Sequence, residues 1–145
     1  MRIMGLDFGS KTVGVAVTDP LGITAQGITI VRRDSEKRLR KTYQAIEKLA
    51  AEYEVSKFVI GLPMNMDGSH GERVEKSKAF AEDLHRRTGI EVVLWDERLT
   101  TVEAHEIMSE LGIKGDKRKE YVDEIAAVLI LEDYLRANPI SNSGE

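Results

Sequence analysis

The sequence predicts an α/β fold in which a five-stranded mixed sheet is flanked by helices. Three strand-like segments come first and are joined by short turns, which require neighbouring strands to run antiparallel. After residue 34, helical segments alternate with two short apolar segments, and a helical crossover makes the strands that it joins parallel. The 145 residues suit one domain with a core of its own.

The first three strands are predicted at residues 2–8, 12–18 and 23–31. The segment FGSKT, which contains a glycine, forms the first turn, and DPLG forms the second. Gly27 weakens the third strand, because glycine has no side chain to pack in a sheet. These three strands should form an antiparallel meander.

The second part of the chain alternates between helices and strands. In the first two helices, apolar residues recur at helical spacing. Gly89 ends the second helix, and Thr100 and Glu103 form the T-x-x-E capping box that begins the third. The helices are predicted at residues 34–54, 72–87, 101–112 and 119–136, and the strands at residues 57–62 and 90–95. We expect the domain to comprise residues 1–137, with residues 138–145 as a disordered tail.

Composition limits the classes of function. The chain has 41% hydrophobic and 32% charged residues, and its apolar stretch IAAVLIL is much shorter than a membrane span. An aspartate interrupts the apolar N-terminal segment, so we expect no signal peptide and a cytoplasmic location. The absence of cysteine excludes disulfides and thiolate metal sites.

The net charge of −4 argues against a protein that binds nucleic acid over its whole surface. Two basic segments change the balance locally: RRDSEKRLRK at residues 32–41 has six basic residues, and KGDKRK at residues 114–119 has four. Either segment alone is typical of a solvated surface. Two of them in an acidic chain favour local contact with phosphate groups.

Acidic residues from three distant segments are predicted to meet at one end of the sheet. Asp7 interrupts an apolar strand, where an unpaired buried carboxylate costs several kcal/mol. Asp96 and Glu97 follow the fifth strand, at the end where parallel strands collect ligand-binding groups. On the last helix, Asp123 shares a face with apolar residues three, four, seven and eleven positions later. Two of these are alanines, which would let the helix approach the sheet closely.

Each acid alone has a structural explanation, through turn amides for Asp7 or a helix N-terminus for Glu97 and Asp123. Together the acids would repel one another unless a cation lay between them. Oxygen ligands suit Mg²⁺ or Mn²⁺, and two such ions about 4 Å apart activate water and stabilise the leaving oxygen in phosphodiester hydrolysis. The three acids therefore favour a metal site.

Four motifs occur in order over nearly the whole chain: GLDFGSKTVGVAVTD, IGLPMNMDGS, WDERLTT and VDEIAAVLIL. In these motifs the chain resembles the bacterial YqgF (RuvX) family of the ribonuclease H-like superfamily, whose members are described as pre-16S rRNA nucleases and as Holliday junction resolvase homologues. The resemblance implies a ribonuclease H-like fold and a metal-dependent nuclease that processes the 5′ end of precursor 16S rRNA in ribosome biogenesis. It also implies Mg²⁺ or Mn²⁺ as cofactor, and structured nucleic acid and ribosomal particles as partners.

By the same resemblance, Asp7, Glu97 and Asp123 are the catalytic metal ligands. Residue alternation does not choose between Asp96 and Glu97, and the family pattern favours Glu97. The sequence leaves open whether Glu124 is a fourth acid of this site. The implied substrate-binding residues are Gly9, Ser10, Lys11, Thr12, Asn65, Arg98, Lys117, Arg118 and Lys119. For Gly9, a role in a β-turn is indicated as strongly as a contact with phosphate.

Other functions remain open. The same carboxylates would serve a Holliday junction resolvase acting on branched DNA, which cuts two strands as a dimer, although the sequence indicates no hydrophobic dimer face. A non-catalytic nucleic-acid-binding module is disfavoured, because a binder of polyanions would gain by losing the acids. The spacing from Asp7 to Gly14 also fits the phosphate loop of the actin and sugar-kinase class. Those proteins need two such domains, and 145 residues supply one.

Overall fold

The computed structural model describes residues 2–9, 11–32, 39–62, 71–96 and 116–138, with side chains from residue 124 onward in the last range. Within these ranges it contains five strands and three helices. The strands are β1 (Arg2–Phe8), β2 (Thr12–Thr18), β3 (Ala25–Arg32), β4 (Val55–Leu62) and β5 (Glu91–Asp96). The helices are α1 (Arg40–Glu52), α2 (Glu72–Thr88) and α3 (Asp116–Ala137).

The five strands form one mixed sheet in the order β3-β2-β1-β4-β5. β1 pairs antiparallel with β2, which pairs antiparallel with β3, whereas β4 pairs parallel with both β1 and β5. This arrangement confirms the prediction from the lengths of the connections, with three antiparallel strands followed by parallel ones. β1 is therefore the central strand of the sheet.

The third strand begins at Ala25, two residues later than predicted, because the preceding turn is longer. The Asp19 Oδ1 atom accepts a hydrogen bond from the Ile23 N–H group at 2.8 Å, and the Asp19 N–H group donates to the Thr24 carbonyl at 3.0 Å. Gly22 has a φ angle of 73°, which glycine adopts without strain. These bonds keep the two residues before Ala25 in the turn.

Other boundaries also depend on local backbone geometry. α1 ends at Glu52, and Glu54 turns the chain with a φ angle of 54°, so β4 begins two residues before the predicted start. Gly89 ends α2 as predicted, with a φ angle of 71°. α3 begins three residues before its predicted start. The predicted helix at residues 101–112, and residues 139–145 of the predicted tail, lie outside the described residues.

Helices cover both faces of the sheet. α1 and α2 pack on one face, where the rings of Phe8, Tyr43 and Phe80 stack on one another with centroids 4.2 and 5.3 Å apart. α3 packs on the other face against apolar residues that include Ile3 and Val59. The pleat of β1 therefore sends alternate side chains to α3 and to the α1–α2 layer. No helix in the described ranges combines the length and apolarity that crossing a membrane requires.

α3 approaches the sheet closely over a row of small residues. Gly5, Ala16 and Gly27 are register partners on β1, β2 and β3. A Cβ atom on Gly5 would lie 2.9 Å from the Ala127 carbonyl oxygen, so α3 occupies the space that a larger residue would fill. This contact confirms the close approach that the alanines of this helix predict. Gly27 of β3 has a similar packing role, because the Glu124 side chain of α3 lies over it.

Candidate functional site

Asp7 lies near the carboxyl end of the central strand. Leu6 and Phe8, on either side of it, belong to the core under α1 and α2, and alternation therefore places Asp7 on the face that α3 covers. Its register partner on β2 is Gly14, and its side chain is half-buried. A half-buried carboxylate on a central strand is a costly arrangement unless other groups neutralise it. The predicted position of Asp7, in the strand and at the end of the sheet, is confirmed.

α3 crosses the face of the sheet from β4 over β1 to β3. Near the C-terminal end of the helix, the Tyr134 hydroxyl accepts a hydrogen bond from the Lys57 ammonium of β4 at 3.1 Å. Ala127 lies against Gly5 of β1. Toward its N-terminus the helix contacts β3.

The contact between Ala127 and Gly5 lies close in the chain to both candidate acids. Residue 123 precedes Ala127 by one turn, or about 6 Å along the helix axis, and Asp7 follows Gly5 by about 7 Å along the strand. The side chain of Asp123 lies outside the described residues, so its contact with Asp7 stays a prediction.

The end of β5 distinguishes Asp96 from its neighbour. Trp95 packs against α3: its indole N–H group donates to Asp133 Oδ2 at 2.7 Å, and its ring meets that of Tyr134 edge-on at 5.3 Å. Alternation along β5 then places Asp96 on the opposite face, with Leu94. Asp96 and Asp7 thus lie on different faces of the sheet. Glu97, which the family pattern favours, lies outside the described residues.

Glu124 has a half-buried side chain that lies over β3. A Cβ atom on Gly27 would be 2.5 Å from Glu124 Oε1 and 2.7 Å from Glu124 Cγ. β3 is two strands from β1, or about 10 Å at the usual strand spacing. The carboxylate of Glu124 is therefore directed away from Asp7. Glu124, which the sequence left open as a fourth acid of the site, is thus separated from Asp7 in the structure.

The turn between β1 and β2 lies at the same edge of the sheet as Asp7. The Gly9 N–H group donates to the Thr12 carbonyl at 2.7 Å and closes a tight turn. Gly9 therefore has the turn role that the sequence left open beside a phosphate contact. Lys11 is exposed, where its ammonium group can meet a phosphate, whereas Gly9 and Thr12 are half-buried.

Arg73 is a residue near Asp7 that the sequence motifs did not indicate. This residue lies in the first turn of α2, and its Nη2 atom donates a hydrogen bond to the Phe8 carbonyl at 3.1 Å. A cation in the first turn of a helix is repelled by the positive end of the helix dipole. The position of Arg73 was therefore a weak signal that its guanidinium group binds a partner outside the helix. Its partner lies 65 residues away in the chain and is evident only from the fold.

The other predicted site residues lie wholly or partly outside the described residues. Ser10, Asn65 and Arg98 are among them, and the three basic residues 117–119 are described only as backbone in the first turns of α3. Within the described side chains, no three His, Cys, Asp or Glu residues come together as a metal-ligand set. Of the three predicted ligands, only Asp7 has a described side chain.

The structure resembles solved proteins with a ribonuclease H-like fold. Thermus thermophilus RuvC in complex with a Holliday junction substrate has a TM-score of 0.59 at 15% identity, covering 95% of this chain and 96% of that chain. The fowlpox virus Holliday junction resolvase has a TM-score of 0.55 at 15% identity, covering 94% and 99%. At such identities the likeness concerns the fold. The protein is therefore an α/β protein of the ribonuclease H-like class, as predicted.

The chain belongs to the RuvX family, described as Holliday junction resolvase, whose model matches residues 1–137. A relative from Agathobacter rectalis, named "Putative pre-16S rRNA nuclease", is 59% identical over 143 residues, covering 99% of each chain. Relatives of the same name from Listeria monocytogenes and Myxococcus xanthus are 54% and 50% identical, covering 93% and 95% of this chain and 97% and 89% of theirs. The family that the four motifs indicate is confirmed.

Proposed function

We propose that this protein is a metal-dependent nuclease that hydrolyses phosphodiester bonds at the 5′ end of precursor 16S rRNA in the cytoplasm. Family membership and the names of the relatives support this activity and substrate. The structural observation that carries the proposal is the position of Asp7. Its half-buried carboxylate lies near the carboxyl end of the central strand, on the face that α3 covers. Ligand-binding groups collect at this end of parallel strands.

The donor chemistry at this end of the sheet fits a divalent cation. Asp7, Glu97 and Asp123 would hold Mg²⁺ or Mn²⁺, because all three supply carboxylate oxygens and the chain contains no cysteine to favour a softer metal. One or two bound ions would lower the pKa of an attacking water and stabilise the departing 3′ oxygen. The contact of Ala127, one turn after residue 123, with Gly5, two residues before Asp7, supports the presence of Asp123 in this set.

The protein itself would orient the phosphodiester for in-line attack. Asp7 is fixed by the pairing of β1 with β2, and the exposed Lys11 in the adjacent turn can bind a flanking phosphate. Attack by water on phosphorus breaks the bond to the 3′ oxygen and leaves a 5′ phosphate and a 3′ hydroxyl group. The basic residues 117–119 at the start of α3 would bind the nucleic-acid backbone, together with Arg98 and Asn65.

Branched DNA is the second candidate substrate. The description of the matching family as Holliday junction resolvase favours it. The same carboxylates would hydrolyse either nucleic acid, whereas resolution of a junction needs two symmetric cuts and therefore two copies of the chain. The names of the curated relatives favour precursor rRNA, and ribosomal particles would present that substrate.

The test is cleavage of a labelled 5′-end fragment of precursor 16S rRNA with Mn²⁺, Mg²⁺ or EDTA, beside a four-way DNA junction. We compare the wild type with Asp7→Asn and with Glu132→Gln, which changes an exposed carboxylate on α3. Metal-dependent cutting of the RNA that is lost in Asp7→Asn and retained in Glu132→Gln supports the proposal. Cutting of the junction alone supports the resolvase. Metal-independent binding without cutting, in the folded wild type, contradicts both and indicates a non-catalytic binding module.

A further inference from the structure

Helix α2 holds Phe8, the residue after Asp7, at two points. The Phe8 ring stacks on the Phe80 ring with centroids 4.2 Å apart and planes 16° apart. The Phe8 carbonyl accepts the hydrogen bond from Arg73 Nη2 at 3.1 Å. Arg73 and Phe80 are seven positions apart, or about two helical turns, so both lie on the same side of α2. One side of this helix therefore contacts both the side chain and the backbone of Phe8.

These contacts lie at the end of β1 that carries Asp7. The register of β1 with β2 runs to the pair Phe8 and Val13. The hydrogen bond from Arg73 attaches the same strand end to α2, in addition to its pairing with β2.

The two sides of β1 are linked through the backbone. The Phe8 ring is buried under α2, while Asp7 lies on the opposite face, toward α3. A shift of the Phe8 carbonyl would rotate the preceding peptide and redirect the Asp7 carboxylate. A guanidinium group suits this role, because its planar donors are rigid and permanently charged.

We propose that Arg73 is a positioning residue for Asp7: its hydrogen bond to the Phe8 carbonyl fixes the end of β1 and orients the Asp7 carboxylate for metal binding. This role rests on the proposed function, because it gives Asp7 the task of binding the metal. Arg73 itself acts through the backbone of Phe8. The exposed position of Arg73 means that its loss should leave the core intact.

The test compares Arg73→Gln and Arg73→Lys with Arg86→Gln, a control that removes an exposed arginine paired with Asp83 on the same helix. The first measurement is hydrogen exchange of the Gly9 amide in the metal-free protein, because this amide closes the turn after Phe8. The second is the Mn²⁺ dissociation constant without nucleic acid. In Arg73→Gln we expect faster Gly9 exchange and Mn²⁺ binding weakened roughly tenfold, as for other groups that orient metal ligands. Arg73→Lys should recover part of both, and Arg86→Gln should change neither.

The outcomes separate this role from the proposed function. Unchanged Gly9 exchange and Mn²⁺ affinity in Arg73→Gln, beside a wild type that binds Mn²⁺ and cuts RNA, would overturn the positioning role alone. A raised KM for RNA with unchanged Mn²⁺ affinity would also overturn it, and would make Arg73 a phosphate contact. A folded wild type that neither binds Mn²⁺ nor cuts RNA would instead contradict the proposed function. Faster Gly9 exchange in Arg73→Gln would still show that Arg73 holds the strand end.

Discussion

A Cβ atom on Gly5 of β1 would lie 2.9 Å from the carbonyl oxygen of Ala127 on α3 and 3.0 Å from Leu131 Cβ. Both neighbours belong to the helix backbone or lie directly on it, so neither can move without the helix. The contact sets the height of α3 above the sheet. Because α3 also contains Asp123, the same contact links the packing of the core to the candidate metal site.

Gly5→Ala should therefore destabilise the protein and impair the site together. We expect a loss of about 1–3 kcal/mol in the free energy of unfolding, as in other overpacked cores. Cleavage should fall as well, because α3 must move away from Asp7. Urea unfolding followed by fluorescence of Trp95, the sole tryptophan, measures the stability. The control is Gly71→Ala at the N-cap of α2, where a Cβ atom would meet nothing within 4 Å and only the cap preference is lost, so the change should be about 0.5 kcal/mol and cleavage should be retained. Equal effects at both positions would contradict the packing argument.

Glu124 should contribute to packing over β3 and not to catalysis. Gly27→Ala should lower stability, because the new methyl group displaces the Glu124 side chain, and Glu124→Ala should relieve most of that loss. A double-mutant cycle measured by urea unfolding gives the coupling, which for contacting residues is typically about 0.5–3 kcal/mol. Metal-dependent cleavage should survive Glu124→Ala and be lost in Asp123→Asn. Loss of cleavage in both variants would place Glu124 in the site after all.

Much of the fold was predictable because the lengths of the connections restrict the topology. Short turns determine the antiparallel strands and helical crossovers determine the parallel ones, whereas the pairing of β4 with β1, which puts β1 at the centre, is evident only from the structure. The ends of strands were harder to predict where a side chain competes with strand pairing for a backbone group. Asp19 does this by accepting the hydrogen bond of the Ile23 amide before β3. Such a bond is local, but its strength relative to sheet pairing depends on the folded context.

The positions of the candidate site residues in the fold could be predicted from the sequence. The directions of their side chains were harder to predict. Asp7 could be assigned to the end of β1 because its strand pattern is strong. The face of the sheet on which Asp96 lies depends on how Trp95 packs against α3, and the direction of the Glu124 side chain depends on its contact with Gly27. Residue spacing alone specifies neither. Arg73 was missed for the same reason, since its contact with Phe8 joins segments that are distant in the sequence.

Tyr43 should make stability depend on pH in the alkaline range. Burial, and the hydrogen bond that its hydroxyl donates to Asp83 at 2.9 Å, raise the pKa of Tyr43 well above its usual value of 10.0. The folded state thus binds this proton more tightly than the unfolded state does. The stabilisation is fully present below about pH 10 and is lost as the pH rises toward the folded pKa.

Tyr43→Phe should lower the free energy of unfolding by about 1 kcal/mol at pH 7, the usual net value of one hydrogen bond. The difference from the wild type should shrink above about pH 10, where the unfolded phenol ionises. Urea unfolding at several pH values between 8 and 11 measures both effects. Tyr53→Phe, at the end of the same helix, is the matched control for loss of a phenol group. A difference at Tyr43 that stays constant across this range would contradict the assignment.

Asp96 and Glu97 should differ sharply in their effect on cleavage, although they are adjacent. Asp96 lies at the end of β5 on the face opposite Asp7, and the next residue would return to the face of Asp7 if the alternation continued. Loss of a carboxylate that binds the metal removes several kcal/mol of transition-state stabilisation, so Glu97→Gln should slow cleavage by more than about 100-fold. Asp96→Asn should slow it only a few-fold.

Single-turnover cleavage of the precursor rRNA fragment at saturating Mn²⁺ compares the two variants, with thermal unfolding to confirm that both are folded. The Mn²⁺ dissociation constant should rise in Glu97→Gln and stay near the wild-type value in Asp96→Asn. The reverse ranking would mean that the chain twists at the end of β5 and brings Asp96 around the edge of the sheet. In that case Asp96 would replace Glu97 beside Asp7 and Asp123, and the metal would lie nearer to the α2 face.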